Sequence, residues 1–312
     1  MSTFGIDIGG TTSAVLKAAR RPDRESRPEY ERISFATGSV EPTLAAIFAA
    51  IEELDPGREP LFGISCGDPQ DAERGIILGP PNLPGWDEVP IAALLTERFG
   101  GRAHLMNDAN AGALAEWYWG AGRGTRNMIF CTHGTGMGAG LILDGRLYEG
   151  TTRSAGEIGH MRLAPDGPVG YGKAGSLEGL VSGGGIAQLA QAAARTRPGA
   201  AFVPPEGIEG VTTKLVAEAA RTGDDTAREI LEESGSWLGR GLAILIDVLN
   251  PEVIVLGSLF IRLEDILRPP MEAELRAECL PHTLAACRIL AATLGEQIGD
   301  LAALATALYR DL

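Results

Sequence analysis

The sequence predicts a two-lobed α/β protein with a cleft between the lobes, and three observations carry that expectation. Apolar runs of strand length alternate with segments of helical periodicity along nearly the whole chain. Two glycine-rich turns, Asp7-Ile8-Gly9-Gly10-Thr11-Thr12 and Gly134-Thr135-Gly136-Met137-Gly138-Ala139-Gly140, each lie between two apolar runs. Each therefore reads as the tip of a hairpin rather than as a strand-to-helix phosphate loop. Finally, 312 residues with 45% apolar content suit two cores better than one.

From the N-terminus, Phe4–Asp7 and Ala14–Ala18 are expected as the strands of the first hairpin. The charged, proline-containing stretch Arg20–Glu31 reads as a loop between strands. Thr43–Leu54 places Leu44, Ile47, Phe48 and Ile51 on one helical face. Leu61–Cys66 follows as a strand, Ile91–Phe99 as a helix, and Ala103–Asn107 as a strand running into Asp108. Ala109–Trp119 continues as a helix. Asn127–Thr132 and Ala139–Leu143 flank the second glycine turn as another hairpin.

Past Gly183 the chain becomes alanine-rich and helical, with Thr196–Glu209 expected as an exposed connection. The longest helix spans Asp225–Leu249, where Ile230, Leu231, Leu238, Leu242, Leu245 and Leu249 recur at helical spacing until Asn250-Pro251 stops it. Val253–Leu256 is a short buried strand leading into Gly257-Ser258. Arg288–Ala292 is another strand, and Glu296–Tyr309 closes the chain as a helix. The expected lobes are residues 1–107 joined by 295–312, and residues 108–294.

A formal net charge of -14 argues against duplex DNA or an anionic membrane as the main partner. No basic leader with an apolar core opens the sequence, and no 18-residue apolar run occurs, so a cytoplasmic location is expected. Cys66, Cys131, Cys279 and Cys287 are scattered without a Cys-x-x-Cys pair, which suits reduced thiols.

The chemistry concentrates in the two turns and the polar residues near the second. Gly9 and Gly10 let backbone amides approach an anion with no Cβ in the way, while Thr11 and Thr12 offer hydroxyls. Asp7, at the strand end, suits Mg²⁺, directly or through water. In the second turn Gly134, Gly136 and Gly138 alternate around Thr135 and match neither the Walker A pattern nor the dinucleotide-binding fingerprint. Asp108 follows a strand and opens a helix, so it reads either as an N-cap or as a general base for a substrate hydroxyl. A helix N-terminus favours its ionised form, and Asn107 beside it suits a sugar hydroxyl. Glu157, His160 and Glu178 supply the donors and acceptors that vicinal hydroxyls need. Each of these features alone has an ordinary structural explanation.

Together they resemble the ROK (repressor, open reading frame, kinase) family of sugar kinases and regulators. That family lies in the actin-like/hexokinase (ribonuclease H-like) ATPase superfamily, whose fold has a central interlobe cleft. The resemblance runs almost the whole length and also takes in Pro81-Asn82-Leu83-Pro84-Gly85-Trp86, Gly156-Glu157-Ile158-Gly159-His160 and Leu294-Gly295. It implies that Asp108 is the catalytic base and that Asn107, Glu157, His160 and Glu178 contact the sugar. Gly67-Asp68 and Asn82 are expected to shape the discrimination among hydroxyl epimers. The turns would hold the phosphates of ATP, with Mg²⁺, and Gly257 would lie on the adenosine side. Family relatives commonly form homodimers.

Three departures stand out. Many family members bind structural zinc through the histidine and three cysteines, but here those cysteine positions are Val169, Tyr171 and Ser176. One imidazole and one hydroxyl cannot close a tetrahedral zinc site, so no structural zinc is expected. Apolar packing around Val169 and Tyr171 is then one way to fix His160. Thr12 stands where a basic residue often follows, and Gly257-Ser258 replaces a Gly-Gly pair. The leading expectation is an ATP- and Mg²⁺-dependent hexose kinase acting on the 6-OH of glucose or a related sugar. The alternative is a non-catalytic sugar-binding or regulatory relative. A DNA-binding repressor is disfavoured by the charge and by a first phosphate turn already at Asp7, which leaves no room for an N-terminal helix-turn-helix.

Overall fold

The computed structural model describes residues 2–197 and 199–310. Its first sheet begins with β1 (Thr3–Ile8) and β2 (Thr12–Ala18), joined at the first glycine turn, followed by β3 (Tyr30–Ala36). After α1 (Val40–Glu53) come β4 (Leu61–Cys66) and a small hairpin, β5 (Gln70–Asp71) and β6 (Ile76–Ile77). Helix α2 (Ile91–Phe99) and β7 (Arg102–Asn107) complete this part. The strand order is β3-β2-β1-β4-β7: the first three run antiparallel, whereas β1, β4 and β7 are parallel.

The two faces of this sheet are built differently. Phe4, Ile6, Phe62 and Ile64 form one core with Ile47 and Ile51 of α1 and Ile91 and Leu95 of α2. On the other face Gly5 and Gly63 stand side by side in register. A Cβ on Gly5 would lie 3.1 Å from the backbone nitrogen of Leu304, and one on Gly63 would overlap the backbone at Ala303 and Ala307. The glycine pair is a seat for the last helix of the chain.

The second part opens with α3 (Asp108–Trp119) and a meander of β8 (Met128–Cys131), β9 (Ala139–Leu143) and β10 (Arg146–Leu147). A single helical turn at Ile158–His160 precedes a two-stranded ribbon, β11 (Val169–Gly170) and β12 (Lys173–Ala174). Helices α4 (Leu177–Val181), α5 (Gly183–Thr196), α6 (Thr213–Arg221) and α7 (Asp225–Leu249) follow. Then come β13 (Val253–Leu256), α8 (Leu259–Glu278), α9 (Pro281–Ala286), β14 (Arg288–Ala291) and α10 (Ile298–Arg310). The order β10-β9-β8-β13-β14, antiparallel then parallel, repeats the pattern of the first sheet. The two glycine turns thus occupy equivalent places, each at the tip of its sheet's first hairpin.

This sheet also has a glycine seat. A Cβ on Gly140 of β9 would lie 2.5 Å from both the carbonyl oxygen of Ala109 and the Cβ of Ala113, so α3 rests there. Helices α3 and α10 share a core with one face of the second sheet, through Leu114, Phe130, Val255, Leu301 and Leu304. On the other side α7 and α8 meet at glycines: a Cβ on Gly235 would lie 2.7 Å from the carbonyl oxygen of Leu267, and one on Gly239 2.5 Å from that of Met271.

Several expectations need adjusting. Helix α8 went unnamed in the sequence because Pro269 and Pro270 interrupt it, and its backbone is kinked at Leu263. In Thr196–Glu209, expected as exposed, Phe202 is only 1% exposed and joins the large C-terminal core (Pro198 lies outside the described residues). The N-cap of α3 is Asn107, not Asp108: the Asn107 side chain accepts from the amide of Asn110 at 2.8 Å. Of the cysteines, Cys66, Cys131 and Cys279 are buried and Cys287 is half-buried, all with free thiols.

Candidate active site

Asp7 lies one residue before the end of β1, on the face that meets α10, and Gly299 is tight against it: a side chain there would run into the carboxylate. Nearby, Asp300 is held by Arg32 at 3.0 Å and by the Tyr30 hydroxyl at 3.1 Å. Burial, then Asp300 and Asp108, push the Asp7 pKa up to about 6, against the opposing pull of Arg32. Beyond Asp7 the first turn closes through the amide of Gly9 to the carbonyl of Thr12 (3.2 Å), leaving Gly10, Thr11 and Thr12 exposed. A Cβ on Gly10 would meet the backbone oxygen of Asn82 at 2.6 Å, and one on Gly67 would sit 3.3 Å from the Asn82 side-chain oxygen. The structure therefore brings Gly10, Gly67 and Asn82 together.

Asp108 opens α3 at the edge of this group. Solvent reaches its side chain, which lines neither of the polar cavities described below, while neighbouring protein crowds it. That crowding, with the Asp68 carboxylate and more weakly Glu157, raises its pKa to about 6, against the lowering effect of the amides of Ala109 and Asp108. The sequence reading expected the helix N-terminus to dominate; burial and like charge outweigh it.

Asp68, expected only as part of the Gly67-Asp68 step that discriminates epimers, holds a more central place. It accepts from the Asn107 amide group at 2.7 Å, and burial raises its pKa. Asn107 is thus fixed from both ends, by Asp68 and by its own cap. The local sequence signal for Asp68 was a carboxylate just past a largely apolar strand.

A cavity of about 360 Å³ gathers Glu157, His160 and Glu178 with Asp68, Gln70 and Tyr171. A second of about 400 Å³, lined by Asn107, Asn110 and Arg153 among others, adjoins it and shares Asp68, Gln70 and Ser154. Burial and the carboxylates of Asp68 and Glu178 raise the Glu157 pKa, while His160 lowers it. Glu178 points one carboxylate oxygen at the backbone amide of Met137, 2.9 Å away in the second glycine turn.

The segment that carries zinc in many relatives holds together by other means. Apolar packing around Val169 and Tyr171 does not do it, because these are 48% and 66% exposed. Instead, Lys173 Nζ donates to the carbonyl of His160 (2.5 Å), and Gln188 pairs with both the amide and the carbonyl of Val169, each at 2.9 Å. Ser176 caps α4, and the Tyr171 ring meets the His160 ring edge-on at 5.3 Å. Neither Val169 nor Ser176 is a zinc donor, and the set does not fit that ion.

The second turn lies across the cleft. Its amides at Gly134, Met137 and Gly138 are taken by Gly136, Glu178 and Thr132. Among the described residues, the amides of Thr135 and Gly136 have no protein acceptor and remain for an anion. His133, wholly buried, donates from Nε2 to the carbonyl of Val181 (2.7 Å), and its own carbonyl accepts from Leu259 (2.7 Å). Burial pushes its pKa down to about 4, so it is neutral. No local pattern around His133 marks this anchor.

Beside the turn a cavity of about 830 Å³ is lined by Gly134, Thr135, Gly183, Lys214, Ser258 and Arg262, among others. Gly257 does not line it. Gly257 instead packs under the sheet, donating to Cys131 at 2.9 Å, and Ser258 takes the lining position with φ +42°. That left-handed backbone suits the glycine usual there.

Among the described residues no group of three or more His, Cys, Asp or Glu side chains could hold a metal by itself. Asp7 and Asp108 nonetheless raise each other's neighbourhood in negative charge, which fits a Mg²⁺ that arrives with phosphates and keeps most of its waters. No helix among the described residues is long and apolar enough to cross a membrane.

Comparison with known proteins agrees with this geometry. The ROK family pattern matches residues 3–309. A glucokinase of Thermotoga maritima is 31% identical over 306 residues, covering 97% of this chain and 96% of its own. The ROK hexokinase structure from Thermus thermophilus superposes with a TM-score of 0.82 at 30% identity, covering 100% of this chain and 99% of its own. The ROK family glucokinase of Streptomyces griseus, solved with glucose and AMPPNP, gives 0.76 at 31% identity with both chains fully covered. The chain belongs to the ROK family.

Proposed function

We propose that the protein is an ATP-dependent hexose kinase in which Asp108 is the general base. One observation carries the reading above the others: Asp108 stands within electrostatic reach of both Asp7, beneath the first phosphate turn, and Asp68 and Glu157, in the polar cavity. Its pKa near 6 makes it a better base than an ordinary aspartate, yet mostly ionised at neutral pH.

In this reading Glu157, His160, Glu178, Asn107, Asn82 and Gly67 hold the ring hydroxyls of glucose or a related hexose, with the 6-OH toward Asp108. Asp108 accepts the hydroxyl proton while the sugar oxygen bonds to the γ-phosphorus. The bond from that phosphorus to the bridging oxygen breaks, and its electron pair leaves with ADP. The free amides of Thr135 and Gly136, with Gly9, Gly10, Thr11, Thr12, Gly134 and Gly138 around them, hold the phosphates, and the large cavity near Gly257 takes the adenosine. Asp7 would hold Mg²⁺, which supplies neutralisation of the phosphate charge. Residues 1–107 with 295–312 act as one lobe and 108–294 as the other, closing on the sugar. A cytoplasmic homodimer without structural zinc completes the proposal.

A coupled assay over glucose, mannose, fructose and N-acetylated amino sugars, with ATP and polyphosphate in parallel, tests it. Asp108→Asn is expected to lower kcat by about 10²–10⁴-fold with sugar binding kept. Near-normal turnover in that variant would sink the assignment. Sugar binding without transfer by the wild type points to the regulatory alternative.

A further inference from the structure

The carboxylate of Glu178 is caged. A Cβ on Gly136 would lie 2.8 Å from its Oε2, one on Gly170 2.8 Å from its Cβ and Cγ, and one on Gly159 3.2 Å from its Cβ. Three glycines from three separate segments thus make room for this one side chain. Gly136 belongs to the phosphate turn, Gly159 to the sequence between Glu157 and His160, and Gly170 to β11. Within the cage Oε2 accepts from the amide of Met137, while Oε1 has no hydrogen bond to a described residue and the side chain lines the polar cavity. The turn touched by Oε2 is the one whose Thr135 and Gly136 amides lack acceptors.

We infer that Glu178 couples the two substrates: a sugar hydroxyl bound at one carboxylate oxygen fixes the other on Met137 and so sets the second glycine turn for the nucleotide. The inference rests on the assignment of Glu178 to the sugar. With Oε1 unengaged the carboxylate is held at one oxygen only, so the Met137 contact, one of the three that take up amides of the turn, opens more readily. With sugar the glycine-rich turn, flexible by composition, is held before the nucleotide arrives. By linkage the nucleotide tightens the sugar by the same factor, and couplings of this kind run to about five- to 150-fold. The carboxylate would therefore be a positioning residue for the phosphates as well as a sugar ligand.

Two measurements test this, using the hexose that turns over fastest in the assay above. Hydrogen exchange of the wild type, with that hexose and no nucleotide, should slow in the peptide spanning 132–138. Separately, the affinity for AMPPNP is measured with and without the hexose in the wild type and in Glu178→Asp. Aspartate keeps the charge but withdraws it by one methylene, roughly 1.5 Å, too far for the Met137 amide. The wild type should bind AMPPNP at least fivefold more tightly with sugar, and Glu178→Asp should show a ratio near one. An enzyme that phosphorylates the hexose but shows no protection of 132–138 overturns the link while leaving the kinase reading intact. An unchanged ratio in Glu178→Asp does the same. A protein that phosphorylates no sugar removes the function first, and the link with it.

Discussion

Asp7 and Asp108 are each more comfortable protonated in the fold than in the unfolded chain, since their pKa moves from 3.8 to about 6. Their contribution to stability is therefore complete below about pH 4 and is lost as the pH rises through 6. At pH 7.5, where both are ionised and crowded, Asp108→Asn and Asp7→Asn should melt at higher temperature than the wild type. At pH 4 that advantage should vanish, so thermal unfolding at the two pH values decides the matter. If Asp108 is the base, as proposed, turnover has the opposite requirement, because a base must be ionised: kcat/KM should fall about tenfold per pH unit below 6. The site is thus held at a cost to the fold, a trade expected where activity needs crowded charge. Asp68 shows why the sequence could not reveal all of this. Its importance comes from where Asn107 places an amide, which no local pattern records.

Elements with a self-contained pattern were readable from the sequence. Leu61–Cys66, Ile91–Phe99, Asp225–Leu249 and Val253–Leu256 occur with those boundaries because their apolar spacing and stop signals are local. The β11–β12 ribbon was not readable: its strands have two residues each and depend on Gln188 from α5 and on the reach of Lys173 to the carbonyl of His160. Likewise α8 hides behind Pro269 and Pro270, and the cap of α3 was placed one residue late because Asn107 and Asp108 are both good capping residues. The ribbon carries its own prediction. Gln188→Ala or Lys173→Met removes hydrogen bonds worth about 0.5–1.5 kcal/mol, so the sugar KM should rise roughly two- to tenfold with the ATP KM unchanged. Metal analysis should find no stoichiometric zinc, and a chelator should leave sugar binding unaltered when nucleotide is absent. About one zinc per chain would contradict the ribbon's role.

Across the whole molecule, the two sheets meet around α3 and α10, and Glu116 ties that junction. It is 0% exposed and accepts from the amides of Ala121 (2.7 Å), Thr293 (2.9 Å) and Leu294 (3.0 Å), joining the end of α3 to the connection that enters α10. Glu116→Ala leaves three amides without their acceptor, of which that of Leu294 is buried, and should cost about 2–3 kcal/mol, measured by urea unfolding; a cost below 1 kcal/mol would mean the junction relaxes freely. Elsewhere, α7 and α8 touch main chain to main chain at Gly235 and Gly239. Propensity alone would rate Gly239→Ala a gain of about 1 kcal/mol, yet here the added methyl has nowhere to go and the variant should melt lower. Two helices locked at such close points have little slack for sliding. If the neighbouring cavity takes the nucleotide as proposed, its wall is expected to swing as one plate, with the bending in the short stretches of chain where the proposed lobes join.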